Sequence, residues 1–293
     1  MLGSPVLMIA PALGVLFDGF AYGMLLFLLS VGLSVTLGMM NFVNLAHGSF
    51  AMLGAYVTVT LMDRGWPFLA TLPCAFLAAA LTSVVFERSL FRRLYRANDL
   101  QQVLLTLGLV FMSVAAAAYL YGTMQQPIRL PDYLRGYITL AGVNLSLYRL
   151  FLIAIALTVT VVLVGALEYT RFGSQVRASV DNQRVAQGLG IDVDSVFAIT
   201  FALGSGLAGL GGALAISIVG LDPNFAFTYL IYVLIVVAVG GLGSIRGSLL
   251  AAILLGVSDA AGKYYVPTLG AFLIYLVMVS ILLWRPSGLF GRR

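Results

Sequence analysis

The sequence predicts an all-α, polytopic transmembrane bundle of about eight or nine membrane segments. Three observations carry that expectation. Of 293 residues, 61% are hydrophobic and only 9% are charged. The charges gather between long charge-free runs instead of spreading along the chain. Those runs are continuously apolar, whereas a membrane β-barrel shows alternating strands of about ten residues. A soluble domain is nearer half apolar and a quarter charged, so too little polar surface remains here to face water. That excludes a soluble enzyme, a nucleic-acid-binding domain and a disordered chain.

Charge-free runs cover 19–62, 65–86, 100–128, 150–167, 195–221, 223–245 and 264–284, with a shorter one at 247–258. A helix needs about 20 residues to cross the hydrocarbon. The first run would make roughly 66 Å of helix at 1.5 Å per residue, so it crosses twice or re-enters. Its polar cluster, Met40 to Ser49, marks the break, because unpaired backbone at that depth must be buried in protein or line a cavity. Helices are expected near 15–39, 48–62, 66–86, 100–121, 148–167, 195–219, 227–245, 247–262 and 267–284. Segment 122–147, with Pro127 and Pro131, reads as an ordered loop or short helix. No low-complexity linker interrupts the chain, so residues 1–293 read as one membrane domain. The N-terminus has no basic stretch ahead of its apolar run and reads as the start of the first segment, not a secretory signal.

Arginines set the orientation. Arg88, Arg92, Arg93, Arg96, Arg171, Arg177, Arg184, Arg246, Arg285, Arg292 and Arg293 fall on one side if the spans alternate. Arg64, Arg129, Arg135, Arg149 and Lys263 fall on the other. The richer side is expected in the cytoplasm, with the N-terminus outside. The net charge of +5 thus reflects loop anchors and lipid contact, not nucleic acid.

The chain has no evident motor or catalytic set. Its only lysine, Lys263, follows Gly262 but lies outside any phosphate-loop motif. One histidine and one cysteine make neither a metal cluster nor a catalytic triad, and no cofactor is expected. The acids sit at span ends, with Asp259 the one plausibly inside a segment, so an ion-coupled carrier is disfavoured.

Two regions draw attention. Loop 168–194 is long for a turn. Ser174 is a candidate N-cap and Gly190 a natural left-handed terminus, while Arg177 and Asp181 have the i,i+4 spacing that pairs charges. It reads either as a helix for docking another protein or as a topology-setting basic loop. Asn41, Asn44, His47 and Gly48 form the polar break, read either as pathway-lining groups or as a satisfied polar knot between helices. Gly240, Gly241, Gly243 and Gly247 suit close packing first and gating second. Gly19/Gly23, Gly243/Gly247 and Gly204/Ala208/Gly212 have small-xxx-small spacing.

Four stretches carry a family resemblance. Gly173-xxx-Arg177-Ala178, followed by Ala186-xx-Leu189-Gly190-Ile191, resembles the coupling loop of permeases of the branched-chain amino acid ABC importers. Asn44-Leu45-Ala46-His47-Gly48 with Leu53-Gly54-Ala55, Gly240-Gly241-Leu242-Gly243-Ser244, and Pro286-Ser287-Gly288-Leu289-Phe290-Gly291 are similar to three further family segments in the same order. The alanine-histidine-glycine stretch resembles the H-type (LivH) subunits more than the longer M-type. Two positions depart from the family pattern: Arg246 stands where members often carry proline, and Tyr232 where many carry lysine.

The resemblance implies an ABC importer permease of a bacterial inner membrane that is not itself an enzyme. It implies a second, M-type permease completing the pore, two cytoplasmic ABC ATPase subunits and a periplasmic solute-binding protein. Gly173, Arg177, Ala178, Asp181, Ala186 and Gly190 are then coupling candidates. Asn41, Asn44, His47, Gly48, Gly240, Gly241, Gly243 and Gly247 are pathway or gate candidates. Branched-chain or related hydrophobic amino acids are the expected solutes. Urea, short amides or another small polar solute remain the alternative within this class; an ATP-independent carrier or channel, or a structural subunit, remain those outside it.

Overall fold

The computed structural model describes residues 5–40, 42, 44–94, 97–127, 130–140 and 142–291. Nine apolar helices account for most of them: α1 Pro5–Met40, α2 His47–Asp63, α3 Phe68–Phe86, α4 Asp99–Tyr121, α5 Leu147–Tyr169, and, after two short helices, α8 Val193–Val219, α9 Phe225–Gly240, α10 Ile245–Tyr265 and α11 Gly270–Trp284. The short pair is α6 Arg171–Asp181 and α7 Gln183–Gly188. Six of the apolar helices are long and apolar enough to cross a membrane, and α9 and part of α11 are two shorter apolar ones. The all-α polytopic expectation therefore holds.

Segment 122–147 differs from expectation. Among its described residues it holds a 3-10 turn, Asp132–Leu134, and an antiparallel hairpin, β1 Tyr137–Leu140 with β2 Val143–Ser146. Gly142, at φ +79°, supplies the left-handed residue such a tight turn needs. Helix α9 also stops five residues short of the expected 245. Gly241 and Gly243 take φ +95° and +77°, which ends the helix, and Ser244 then caps α10 by accepting the Gly247 amide (3.0 Å).

Burial separates centre from periphery. The most apolar windows of α1 and α8 are 83% and 67% buried, against 17% and 22% for α4 and α5. Large side chains such as Phe111, Met112, Val161 and Val162 stand exposed on the outer pair, as lipid-facing positions require. Closeness at the centre comes from missing side chains. A Cβ on Gly32 of α1 would fall on the Gly204 carbonyl of α8, and one on Gly23 would lie 2.8 Å from the Ile253 Cα of α10. Backbones thus meet directly, as small-residue packing allows.

The loops sort to two ends. At one, Arg92 pairs with Asp194, Arg246 with Glu168, and the tail amides of Leu289 and Phe290 donate to the Val239 and Gly240 carbonyls of α9. At the other, Arg149 pairs with Asp18, and the Gln126 amide donates to the Leu221 carbonyl (2.8 Å). This grouping matches the alternation read from the arginines.

Candidate functional site

Helix α6 begins at a Thr170 cap, whose hydroxyl accepts the Gly173 amide (3.3 Å). The expected cap, Ser174, instead sits one turn inside and donates to the Arg171 carbonyl (2.7 Å). Threonine wins because Thr170 is the extended residue just before the helix, the conformation a cap requires. Asn182 caps α7 by accepting the Val185 amide (3.1 Å). Gly190 takes φ +83° and terminates the segment as expected.

The inward face of this pair is fixed to the bundle. Gly173 lies against the Leu167 backbone, where any Cβ would overlap the carbonyl. Arg177 donates to that same carbonyl, so its guanidinium turns to the backbone of α5 instead of to Asp181. Val176 and Ser179 are buried. Ala186 is fully buried with Val193 and Phe197, and Ala178 packs against that cluster. Both alanines therefore hold the loop to α8. The outward face carries Val180, Val185 and Leu189, the last 75% exposed. Asp192 caps α8, and the Ser195 hydroxyl and amide hold its carboxyl below the usual carboxylate range.

A cavity of about 440 Å³ joins this loop to the glycine segment; its lining includes Gly38, Glu168, Arg177, Asp181, Gly243 and Arg246. Two sets of candidates far apart in sequence thus share one space. Arg246 forks onto both Glu168 oxygens (2.7 and 2.9 Å). Gly240 and Gly247 meet backbone to backbone, and the Gly241 and Gly243 turns press on the tail at Gly291 and on α1 at Gly38.

The polar break leads back into the bundle. His47 is buried, and its Nε2 donates to the Leu29 carbonyl (2.9 Å). Leu29 precedes the end of α1 by about 16 Å of helix, so α2 starts deep inside the fold and not at its rim. Gly48 abuts the Ala226 backbone in the first turn of α9. Asn44 is buried with neither its amide nitrogen nor its oxygen bonded. Buried polar groups are normally paired, so Asn44 is an exception among the described residues. Asn41 lies outside the described residues.

Sequence reasoning missed a third region. At the end opposite α6, Asp18, Tyr22, Arg149, Tyr229, Asp259 and Lys263 line a cavity of about 500 Å³. The available signal was Asp259, expected from the sequence to be the one acid inside a segment, with Lys263 one helical turn on; the structure also places Asp18 within α1 and buries Glu87.

With this geometry in hand, the comparisons are informative. Residues 15–282 match the family described as branched-chain amino acid transport system / permease component. The chain is 26% identical over 294 residues to the high-affinity branched-chain amino acid transport system permease protein LivH of Salmonella typhimurium, covering 94% of each chain. It is 29% identical over 289 residues to the probable branched-chain amino acid transport permease protein LivH of Methanocaldococcus jannaschii, covering 92% of this chain and 90% of that one. It is also 26% identical over 300 residues to LivM of Escherichia coli, covering 91% of this chain and 68% of that one. No solved structure matches it. A multi-pass helical bundle with an anchored loop pair, matched across nearly its whole length, belongs to the family of branched-chain amino acid transport permease components.

Proposed function

We propose that this chain is the H-type half of a two-permease pore in a bacterial inner membrane, importing branched-chain or related hydrophobic amino acids. Similarity to both LivH and LivM relatives supports a pore built from two related permeases. Eight of the apolar helices cross and α2 runs from mid-depth to the outer face, with the N-terminus outside and loops 87–98, 170–192 and 241–244 in the cytoplasm. The whole chain acts as one membrane domain.

One observation carries the mechanism. The α6–α7 pair is locked to the bundle on one face, leaves a bare surface of mixed polar and apolar residues on the other, and shares a cavity with the glycine turn. Two cytoplasmic ATPases bind the bare face. Their closure displaces the pair as a rigid body, and the Glu168–Arg246 bridge carries the push into the turn at 241–244. The bundle then rocks between outward-open and inward-open states. A periplasmic binding protein delivers the solute. The partners make and break the phosphate bonds; this chain changes only which side the pathway faces. The Asn44–His47 break lines the pathway at mid-depth, where a broken helix exposes amides to a carboxylate.

Reconstitution tests the reading. Proteoliposomes holding both permeases and the ATPases should take up leucine only with internal ATP and external binding protein. Leu189→Asp, at the most exposed apolar position of the pair, should abolish co-purification of the ATPase while membrane insertion stays normal. Wild-type co-purification would overturn the docking assignment, and uptake without ATP would favour a carrier.

A further inference from the structure

The outer cavity has the composition of a site for a molecule carrying both signs of charge. We propose that it is an entry subsite for a zwitterionic amino acid with an apolar side chain, whose ammonium is read by Asp259 and whose carboxylate is read by Arg149. This rests on the import reading above and assigns the solute chemistry to particular side chains.

Asp259 carries the argument. Its side chain is only 5% exposed, and its ion-pair partner among the described residues, Lys263, is 58% exposed and bonds it at 2.6 Å. A carboxylate inside a membrane helix is costly and marks a pathway by default. Here it is held by a lysine near the surface, one that a second cation can displace or share. The Lys263 ammonium also lies 5.6 Å above the Tyr22 ring. Tyr229 and Tyr232 stand beside it with ring centroids 5.9 Å apart, so a displaced or incoming ammonium meets aromatic faces that attract cations.

The opposite charge is supplied across the cavity. Arg149 pairs with Asp18, and both remain partly exposed, at 33% and 45%. A guanidinium engages carboxylates in a planar fork, so it can accept a solute carboxylate while keeping Asp18 as neighbour. Val15, Ile218 and Val219 complete the lining with apolar surface. The volume of about 500 Å³ falls within the range of small-molecule sites. A zwitterion adds no net charge to the cavity when it inserts, whereas a singly charged solute does, and a neutral solute such as urea offers neither charged end.

The test places a reporter in the cavity without touching either pair. Thr228 is an exposed lining residue, and Cys74 is the only native cysteine. In the assembled complex carrying Cys74→Ala and Thr228→Cys, labelling by an impermeant maleimide is followed with and without free solute. Saturating leucine should slow labelling about tenfold, as mass action gives for roughly 90% occupancy. Neither 4-methylpentanoate, which lacks the ammonium, nor 3-methylbutylamine, which lacks the carboxylate, should protect at the same concentration. Absence of leucine protection, or equal protection by all three, overturns the subsite. If leucine uptake still requires ATP while labelling is unprotected, the subsite fails and the importer reading stands.

A second variant separates binding from structure. The exchange Asp259→Lys with Lys263→Asp keeps an ion pair on one helix turn but reverses its poles. A structural pair predicts restored uptake. The subsite predicts that uptake stays about tenfold or more below wild type, the scale of a mispaired buried charge.

Discussion

The two ends of this bundle both carry ion pairs but surround them differently. The outer cavity is walled by side chains: ion pairs Asp18–Arg149 and Asp259–Lys263, with tyrosine rings between them. At the inner end, the ion pairs Arg92–Asp194 and Arg246–Glu168 stand beside direct backbone contacts: the Gly241 and Gly243 turns, a tail whose amides cap α9, and a loop helix seated on a carbonyl. Side chains discriminate between solutes, whereas bare backbone lets elements meet closely and change register. Under the proposed function, the outer end recognises the solute and the inner end moves. The seam between them should tolerate less than either.

The largest effect is expected at that seam. Gly32→Leu would drive a side chain into the Gly204 backbone. Overpacking costs about 1–3 kcal/mol where neighbours can yield, and two helix backbones cannot. The variant should yield little assembled complex by size-exclusion chromatography, and near-normal yield would show that the seam is looser than the geometry indicates.

At the inner end, Ser244→Ala removes the hydroxyl that accepts the Gly247 amide. Loss of an N-cap costs about 1 kcal/mol, so a drop of a few degrees in the melting temperature of the solubilised complex is expected. Arg246→Pro should cost less. Arg246 lies in the first turn of α10, where proline is tolerated, and its bridge to Glu168 is largely exposed. Exposed pairs contribute about 0–1 kcal/mol. Stability should stay near wild type while ATP-driven uptake falls, since the bridge links the loop to the glycine turn. Unchanged uptake would remove the bridge from the coupling route.

The smallest effect concerns Asp192. Its carboxyl is held below the ordinary value of about 3.9. A depressed folded value means that its contribution is present above the ordinary pKa and fades as pH falls through the folded one. Ser195→Ala removes the main cause. It should weaken the cap of α8 slightly at pH 7 and shift the onset of acid loss upward, measured as melting temperature against pH.

Much of the fold was legible because lipid permits so few solutions. Charge-free runs located each apolar helix, and the polar stretch after Met40 located the break. The end of α9 was not legible, since the glycines that stop it carry no charge and the apolar run continues to Ile245. The hairpin at 137–146 escaped because its strands are four residues each, too short for alternation to register. The inner candidates were found because loop 168–194 stands out in sequence. The outer cavity was not, because Asp18, Arg149 and Asp259 lie on three helices that only the folded bundle assembles. Ala178 and Ala186 were read as part of a docking face, yet small residues suit buried contacts as readily, and only burial distinguishes the two.

The direct contact of α1 with α8 and α10 has a kinetic consequence. Interdigitated side chains must leave their rotamer wells before one helix can slip past another, and each such exchange adds to the barrier. At Gly23, Gly32 and Gly204 there are no knobs to withdraw from holes. Shear along this line would withdraw no side chain at these three points.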